Sequence, residues 1–96
     1  MAKPIAVLNM EPSEITSKLG IVFETTRDDL DYLKAALVKV ESGNQYAFVR
    51  HLHAPNTGTD ILMNEKRSDI MAALDEVLHA LELTSEDLKW IHPDVP

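Results

Sequence analysis

Four apolar residues in the middle of the chain recur at spacings of three and four: Leu30, Leu33, Leu37 and Val40. This spacing places them on one face of a helix, so we predict a helix over about 27–42. Thr26 is its expected N-cap, with Asp29 in its first turn. Gly43 follows the last apolar residue and is a natural point for the helix to end.

A wider apolar stripe in the C-terminal third predicts a second helix. Ser68 is expected to cap this helix, with Asp69 in its first turn. The apolar members of the stripe are Ile70, Met71, Leu74, Val77, Leu78 and Leu81. Their number and spacing are typical of a helix face that packs against a core.

A short helix is predicted near the C-terminus. Thr84 or Ser85 would cap it, and it would carry Leu88 and Ile91 on its apolar side. It would end at about His92, because the residue before a proline is displaced from helical geometry.

Segments rich in β-branched and aromatic residues predict strands. Residues 5–8 form a short apolar segment, and residues 19–24 form a more distinct one. Residues 45–53 and 59–64 are also strand-like, and they flank the turn-forming sequence at 54–58. These last two segments therefore predict a β-hairpin.

The expected register of this hairpin pairs His51 with Ile61 and Val49 with Met63. These four side chains would share one face of the sheet, because alternate residues of a strand point to the same side. The other face would carry Tyr46, Phe48, Arg50, Leu52 and Leu62. Large apolar side chains would therefore lie on both faces of the hairpin.

Together these elements predict an α+β fold, a small two-layer sandwich. We expect a mainly antiparallel sheet of three or four strands, with two amphipathic helices on one face and the short C-terminal helix. The 96 residues would form a single domain, in which residues 1–18 supply an extra strand or a partly ordered arm. The second face of the sheet would be open and partly apolar, which is typical of self-association, so we expect a homodimer.

The composition narrows the class of protein. The chain has no cysteine, which excludes disulfides and thiolate chemistry and is typical of a reducing compartment. The apolar run at 5–8 is shorter than a signal peptide or a membrane span requires. We therefore expect a cytoplasmic protein that does not interact with a membrane.

The net charge of −7 is concentrated at one end of the chain. Residues 68–96 contain seven acidic residues and one basic residue, Lys89. Without a basic face, no binding to nucleic acid is expected. On the simpler interpretation, this excess of acidic residues only keeps the protein soluble. The alternative is an inhibitor or immunity-type protein that masks a basic partner.

His51 and His53 have the spacing of a strand-borne pair of metal ligands. A third ligand of suitable type would have to come from Asp60, His79 or His92, and the expected register places Asp60 on the other face. The simpler interpretation is that these two histidines are ordinary surface or half-buried side chains at the end of a hairpin. A small metal- or ligand-binding protein that uses this pair remains a hypothesis.

No nucleophile and base at a recognisable spacing, and no phosphate-binding loop or cofactor motif, occur in the sequence. We therefore expect no cofactor and favour a non-catalytic protein over an enzyme, which the alternative of a ligand-binding protein centred on His51 and His53 leaves open. The first hypothesis is a non-catalytic interaction or regulatory module that acts as a homodimer. Its candidate interaction surface consists of Tyr46, Phe48, Arg50, Leu52, Leu62 and Trp90. Within this set, Arg50 is more simply explained by an ion pair with a nearby acid such as Asp60.

Overall fold

The computed structural model describes residues 2–27, 32–53, 57–64 and 66–93. Six strands and two α-helices occur in these residues: β1 (Ala2–Leu8), α1 (Pro12–Leu19), β2 (Glu24–Arg27), β3 (Tyr32–Lys39), β4 (Gln45–His51), β5 (Thr59–Asn64), α2 (Ile70–Ala80) and β6 (Leu88–Ile91). A single turn of 3₁₀ helix, Ser85–Asp87, precedes β6. No helix in the described ranges is long and apolar enough to cross a membrane.

All six strands form one antiparallel sheet in the order β2-β3-β4-β5-β1-β6. Strands β2 to β5 lie side by side in chain order, so that β2 pairs with β3, β3 with β4 and β4 with β5. The first strand, β1, instead lies between β5 and β6. The N-terminal segment is therefore an internal strand of the sheet, and it holds the last strand in place.

A β-bulge in β1 turns two consecutive side chains towards the core. Pro4 is opposite Leu62 and Ala6 is opposite Ile61, so Ile5 is the additional residue. Both Ile5 and Ala6 are fully buried. A regular strand would bury only one of two neighbours, so the bulge adds a large apolar side chain to the core.

Both helices pack on the same face of the sheet. Ile15 of α1 and the α2 side chains of Ile70, Ala73, Leu74 and Val77 are buried. They share one core cluster with side chains of the strands, namely Ile5, Ala6, Leu8, Tyr46, Phe48, Ile61 and Met63. The strand residues therefore alternate between this helix-covered face and a second face that neither helix covers.

The α+β class is confirmed, but the predicted sheet of three or four strands with three helices is wrong. The helix predicted over about 27–42 is replaced by a hairpin of β2 and β3, and Thr26 belongs to β2. The spacing of four between Leu33 and Leu37 explains the error, because residues four apart share a face in a helix and also in a strand. Pairing of β3 with strands on both sides then outweighs local helix propensity. Leu30 and Asp29 lie outside the described residues.

Two further predicted elements are corrected. The strand predicted at 19–24 is instead the end of α1 and a connection, and β2 begins only at Glu24. The predicted C-terminal helix stops after one 3₁₀ turn, and Leu88–Ile91 becomes β6. Leu88–Ile91 forms a strand because it pairs with β1, and this pairing cannot be recognised from the sequence of the segment alone. The helix predicted after Ser68 is confirmed as α2, and the strand predicted at 5–8 is part of β1.

The expected hairpin register is wrong by three positions. Phe48 is opposite Ile61 and Val49 is opposite Asp60. A shift by an odd number of residues exchanges the faces, so Phe48 and Ile61 point together into the core. The turn sequence that would set this register lies partly outside the described residues.

Gly58 lies where the chain passes closest to β1. Its φ is +105°, and a Cβ there would lie 2.6 Å from the backbone oxygen of Leu8 and 2.9 Å from Cγ1 of Val7. Gly43, in the turn between β3 and β4, has a similar φ of +93° but open space around it. A substitution at either glycine would cause backbone strain, but only one at Gly58 would also cause steric overlap. Comparing the two positions therefore separates the two effects.

We expect Gly58→Ala to destabilise the protein by about 3 kcal/mol or more, from strain plus overlap with β1. Gly43→Ala should cost only about 1–2 kcal/mol, from the left-handed conformation alone. Urea denaturation of the two variants measures both values. Equal losses would show that the backbone of β1 moves away from Gly58 without cost.

Candidate interaction surface

The face of the sheet opposite the helices carries a row of side chains that crosses all six strands. The cross-strand pairs define it in the order Glu24, Ala35, Val49, Asp60, Val7 and Trp90. Residues opposite each other in neighbouring strands have side chains on the same face. Four of the six side chains are apolar, and the two carboxylates lie at one end and near the middle.

Shorter rows lie on either side of this central row. One contains Leu37, Ala47, Leu62 and Pro4, and the other contains Thr26, Leu33 and His51. We call the three rows together the open face. Leu37 is 77% exposed and Trp90 is 42% exposed, although both are large and apolar. Such exposure in one continuous region is uncommon on a monomer and is typical of contact surfaces.

A shallow cleft of about 470 Å³ lies at the β6 end of the open face. Val7, Val49 and Trp90 form its apolar wall, and its charged lining residues are Asp60, Arg50 and Lys89. The Lys89 ammonium donates to the backbone oxygen of Thr57 at 3.1 Å and to its hydroxyl at 3.0 Å. These bonds hold the Lys89 side chain beside the cleft.

Asp60 is half-buried between Val49 and Val7. Burial raises the pKa of Asp60, and the charges of His51 and Arg50 offset this only in part. The ionised carboxylate is therefore held in surroundings that favour its neutral form.

Arg50 pairs with Glu11, not with Asp60 as the simpler interpretation suggested. Its Nε lies 3.3 Å from Oε2 of Glu11, and its side chain is only 13% exposed. The same Glu11 oxygen accepts a hydrogen bond of 3.0 Å from the backbone of Gly58. Arg50 also donates to the backbone oxygen of His51 at 2.7 Å. It therefore joins the start of α1 to the β4–β5 hairpin.

His51 and His53 do not lie on one strand. Strand β4 ends at His51, which is half-buried on the open face, whereas His53 is exposed in the following turn. The shift in register brings Asp60 to the face of His51, contrary to expectation. Within the described ranges, no group of three or more His, Cys, Asp or Glu side chains could hold a metal ion.

The residues of the predicted interaction surface are divided between the two faces. Tyr46 and Phe48 are buried in the core beneath the helices, because the register differs from the expected one. Leu62 and Trp90 lie on the open face, and Leu52 is exposed just beyond β4. Tyr46 and Phe48 therefore stabilise the fold and do not form a contact surface.

Several acidic side chains of the C-terminal third bind within the chain. The Glu76 carboxylate accepts hydrogen bonds from Tyr46 (2.6 Å), Asn44 (3.0 Å) and Ser42 (2.8 Å). These bonds, led by that of Tyr46, lower the pKa of Glu76. Asp69 forms a bidentate pair with Arg67 at 2.7 and 2.9 Å. The segment thus uses part of its acidity to attach α2 to the sheet.

Leu33, Ala35, Leu37, Ala47 and Val49 form the middle of the open face, and the sequence prediction missed their role. The sequence did contain a strand pattern here, because the apolar residues Leu33, Ala35 and Leu37 occupy every second position of β3. The period-4 spacing of Leu33 and Leu37 concealed it. Once β3 is recognised as a strand, its exposed apolar side follows directly.

No protein-family model matches the chain, and neither does a curated protein or a solved structure. The role of the open face is therefore inferred from its own shape, exposure and charge. Two features matter most: the apolar surface that neither helix covers, and the half-buried carboxylate near its centre.

We expect Asp60→Asn to stabilise the protein at pH 7. A carboxyl whose folded pKa is raised contributes stability below its unfolded pKa of about 4 and loses it as the pH rises through the folded value. The amide does not ionise, so the urea midpoint of the variant should exceed that of the wild type at pH 7. The difference should disappear near pH 3. A variant that is less stable at pH 7 would show that the charge of Asp60 is needed.

Proposed function

We propose that this protein is a non-catalytic interaction module that associates with a second copy of itself through the open face. The observation that supports this most strongly is the row of partly exposed apolar side chains on the face of the sheet that neither helix covers. Water contacts Leu37 and Trp90 in the single chain. Association would remove this apolar area from water, which is the main driving force for protein contacts.

The size of the open face suits a weak dimer. Six strands spaced by about 4.8 Å, with an average length of about 20 Å, give roughly 500 Å² for each copy. Two copies would bury roughly 1,000 Å², the lower end for a specific interface. We therefore expect a dissociation constant in the micromolar range, as for transient and regulatory contacts.

Leu37→Lys should weaken self-association at least about tenfold, because it places a charge in the apolar contact. Met71→Lys is the matched control: Met71 is 47% exposed on α2, on the other side of the molecule. Sedimentation-velocity measurements over a range of concentrations give the dissociation constants. Wild-type protein that stays monomeric at high micromolar concentration, or equal effects of the two substitutions, would contradict the proposal.

Trp90 gives an independent measurement, because it is the only tryptophan in the chain and lies on the open face. As the wild-type concentration rises, its fluorescence maximum should move to shorter wavelength as association removes water. The Leu37→Lys variant should keep the dilute spectrum over the same range. A shift that appears only on addition of a basic protein would favour the alternative of an acidic masking protein.

A further inference from the structure

We propose that the two copies pack face to face about a two-fold axis that runs parallel to the strands, between β4 and β5. In this arrangement β2 of each copy lies over β6 of the other. The inference rests on the proposed self-association through the open face and adds the orientation of the two copies.

Packing of two sheets restricts the choice of axis. Stacked sheets lie about 10 Å apart, with strand directions within about 30° of each other. For two identical copies, only axes nearly parallel or nearly perpendicular to the strands satisfy this condition. Full overlap of two six-stranded sheets also requires a central axis, and the centre of the order β2-β3-β4-β5-β1-β6 lies between β4 and β5.

An axis perpendicular to the strands places each strand over its own counterpart. The Glu24 carboxylates of β2 would then approach each other, and so would the Asp60 carboxylates of β5. The charges of His51 and Arg50 offset only part of the unfavourable burial of each Asp60 carboxylate. Like charges brought together in a contact that excludes water are strongly unfavourable.

An axis parallel to the strands removes both conflicts. Glu24 of one copy then lies over β6 of the other, where Lys89 lines the cleft. Asp60 lies over Val49 of the second copy, with His51 two residues further along the same strand. Each carboxylate thus faces a strand that carries a basic side chain.

The apolar side chains fit the same arrangement. The row order places Ala47 over Leu62, Ala35 over Val7 and Leu37 over Pro4 of the second copy. Each small or narrow side chain then faces a larger one, as interlocking sheets require. The perpendicular axis would instead place Ala35 over Ala35 and Val49 over Val49 of the second copy.

Spin-label distances distinguish the two axes. The chain has no cysteine, so Glu24→Cys provides a single attachment site for a nitroxide. Pulsed double electron–electron resonance should give a separation of about 25 Å between labels, because β2 strands of the two copies lie at opposite edges. The perpendicular axis would bring the labels to about 10–15 Å, a separation that is measured from dipolar broadening of the continuous-wave spectrum. Thr26→Cys, on the same exposed strand, repeats the measurement with Glu24 retained.

The outcomes separate this inference from the proposal on which it rests. A sedimenting dimer with labels about 25 Å apart at both sites supports the parallel axis. A dimer with the short separation overturns the orientation and leaves self-association intact. A dimer with neither separation would use another surface, and a monomer would show no coupling between labels. Either result overturns both the orientation and the proposed self-association through the open face. Dilution with unlabelled protein should reduce the coupling if it arises between copies.

Discussion

Packing of both helices on one face of the sheet is the arrangement on which the other features of this protein depend. Because α1 and α2 share a single core with β1, β4 and β5, alternate positions of the central strands β4 and β5 have unequal surroundings. One set of side chains is buried, and the other is left half-exposed. The half-exposed side chains form the contact surface that we infer. Because one strand register determines both faces of the sheet, the register that buries the core residues also determines which residues lie on this surface.

Polar contacts attach the two layers at a few defined points. At one end, Glu76 of α2 binds Tyr46 of β4 and the turn before it. At the other, Glu11 at the start of α1 binds both Arg50 and the backbone of Gly58. These carboxylates have partners in the fold, whereas Asp60 on the open face has a raised pKa and apolar neighbours in its row. Glu76 and Glu11 therefore stabilise the monomer, whereas the surroundings of Asp60 favour its neutral form.

The sequence allowed α2, β4 and β5 to be predicted, because each has a long or strongly patterned apolar side. It did not allow β3 to be predicted, since the spacing of Leu33 and Leu37 fits a helix and a strand equally well. Nor did it show β6, whose four residues become a strand only through pairing with β1. The open face was expected in principle, but Tyr46 and Phe48 were assigned to it because a hairpin register cannot be read from composition alone. Leu62 and Trp90 do lie on it.

The position of β1 has a consequence for how the molecule folds. Leu8 pairs with both Thr59 and Leu88, which lie far away in sequence, so the two ladders of β1 close the longest loops among the strand pairs. The β2–β3–β4 meander can form from neighbouring segments, but the core remains incomplete until β1 is inserted between β5 and β6. Such high contact order slows folding and leaves apolar strands unpaired for longer. The N-terminal strand β1 therefore reaches its native surroundings only when β5 and β6, from later in the chain, pair with it.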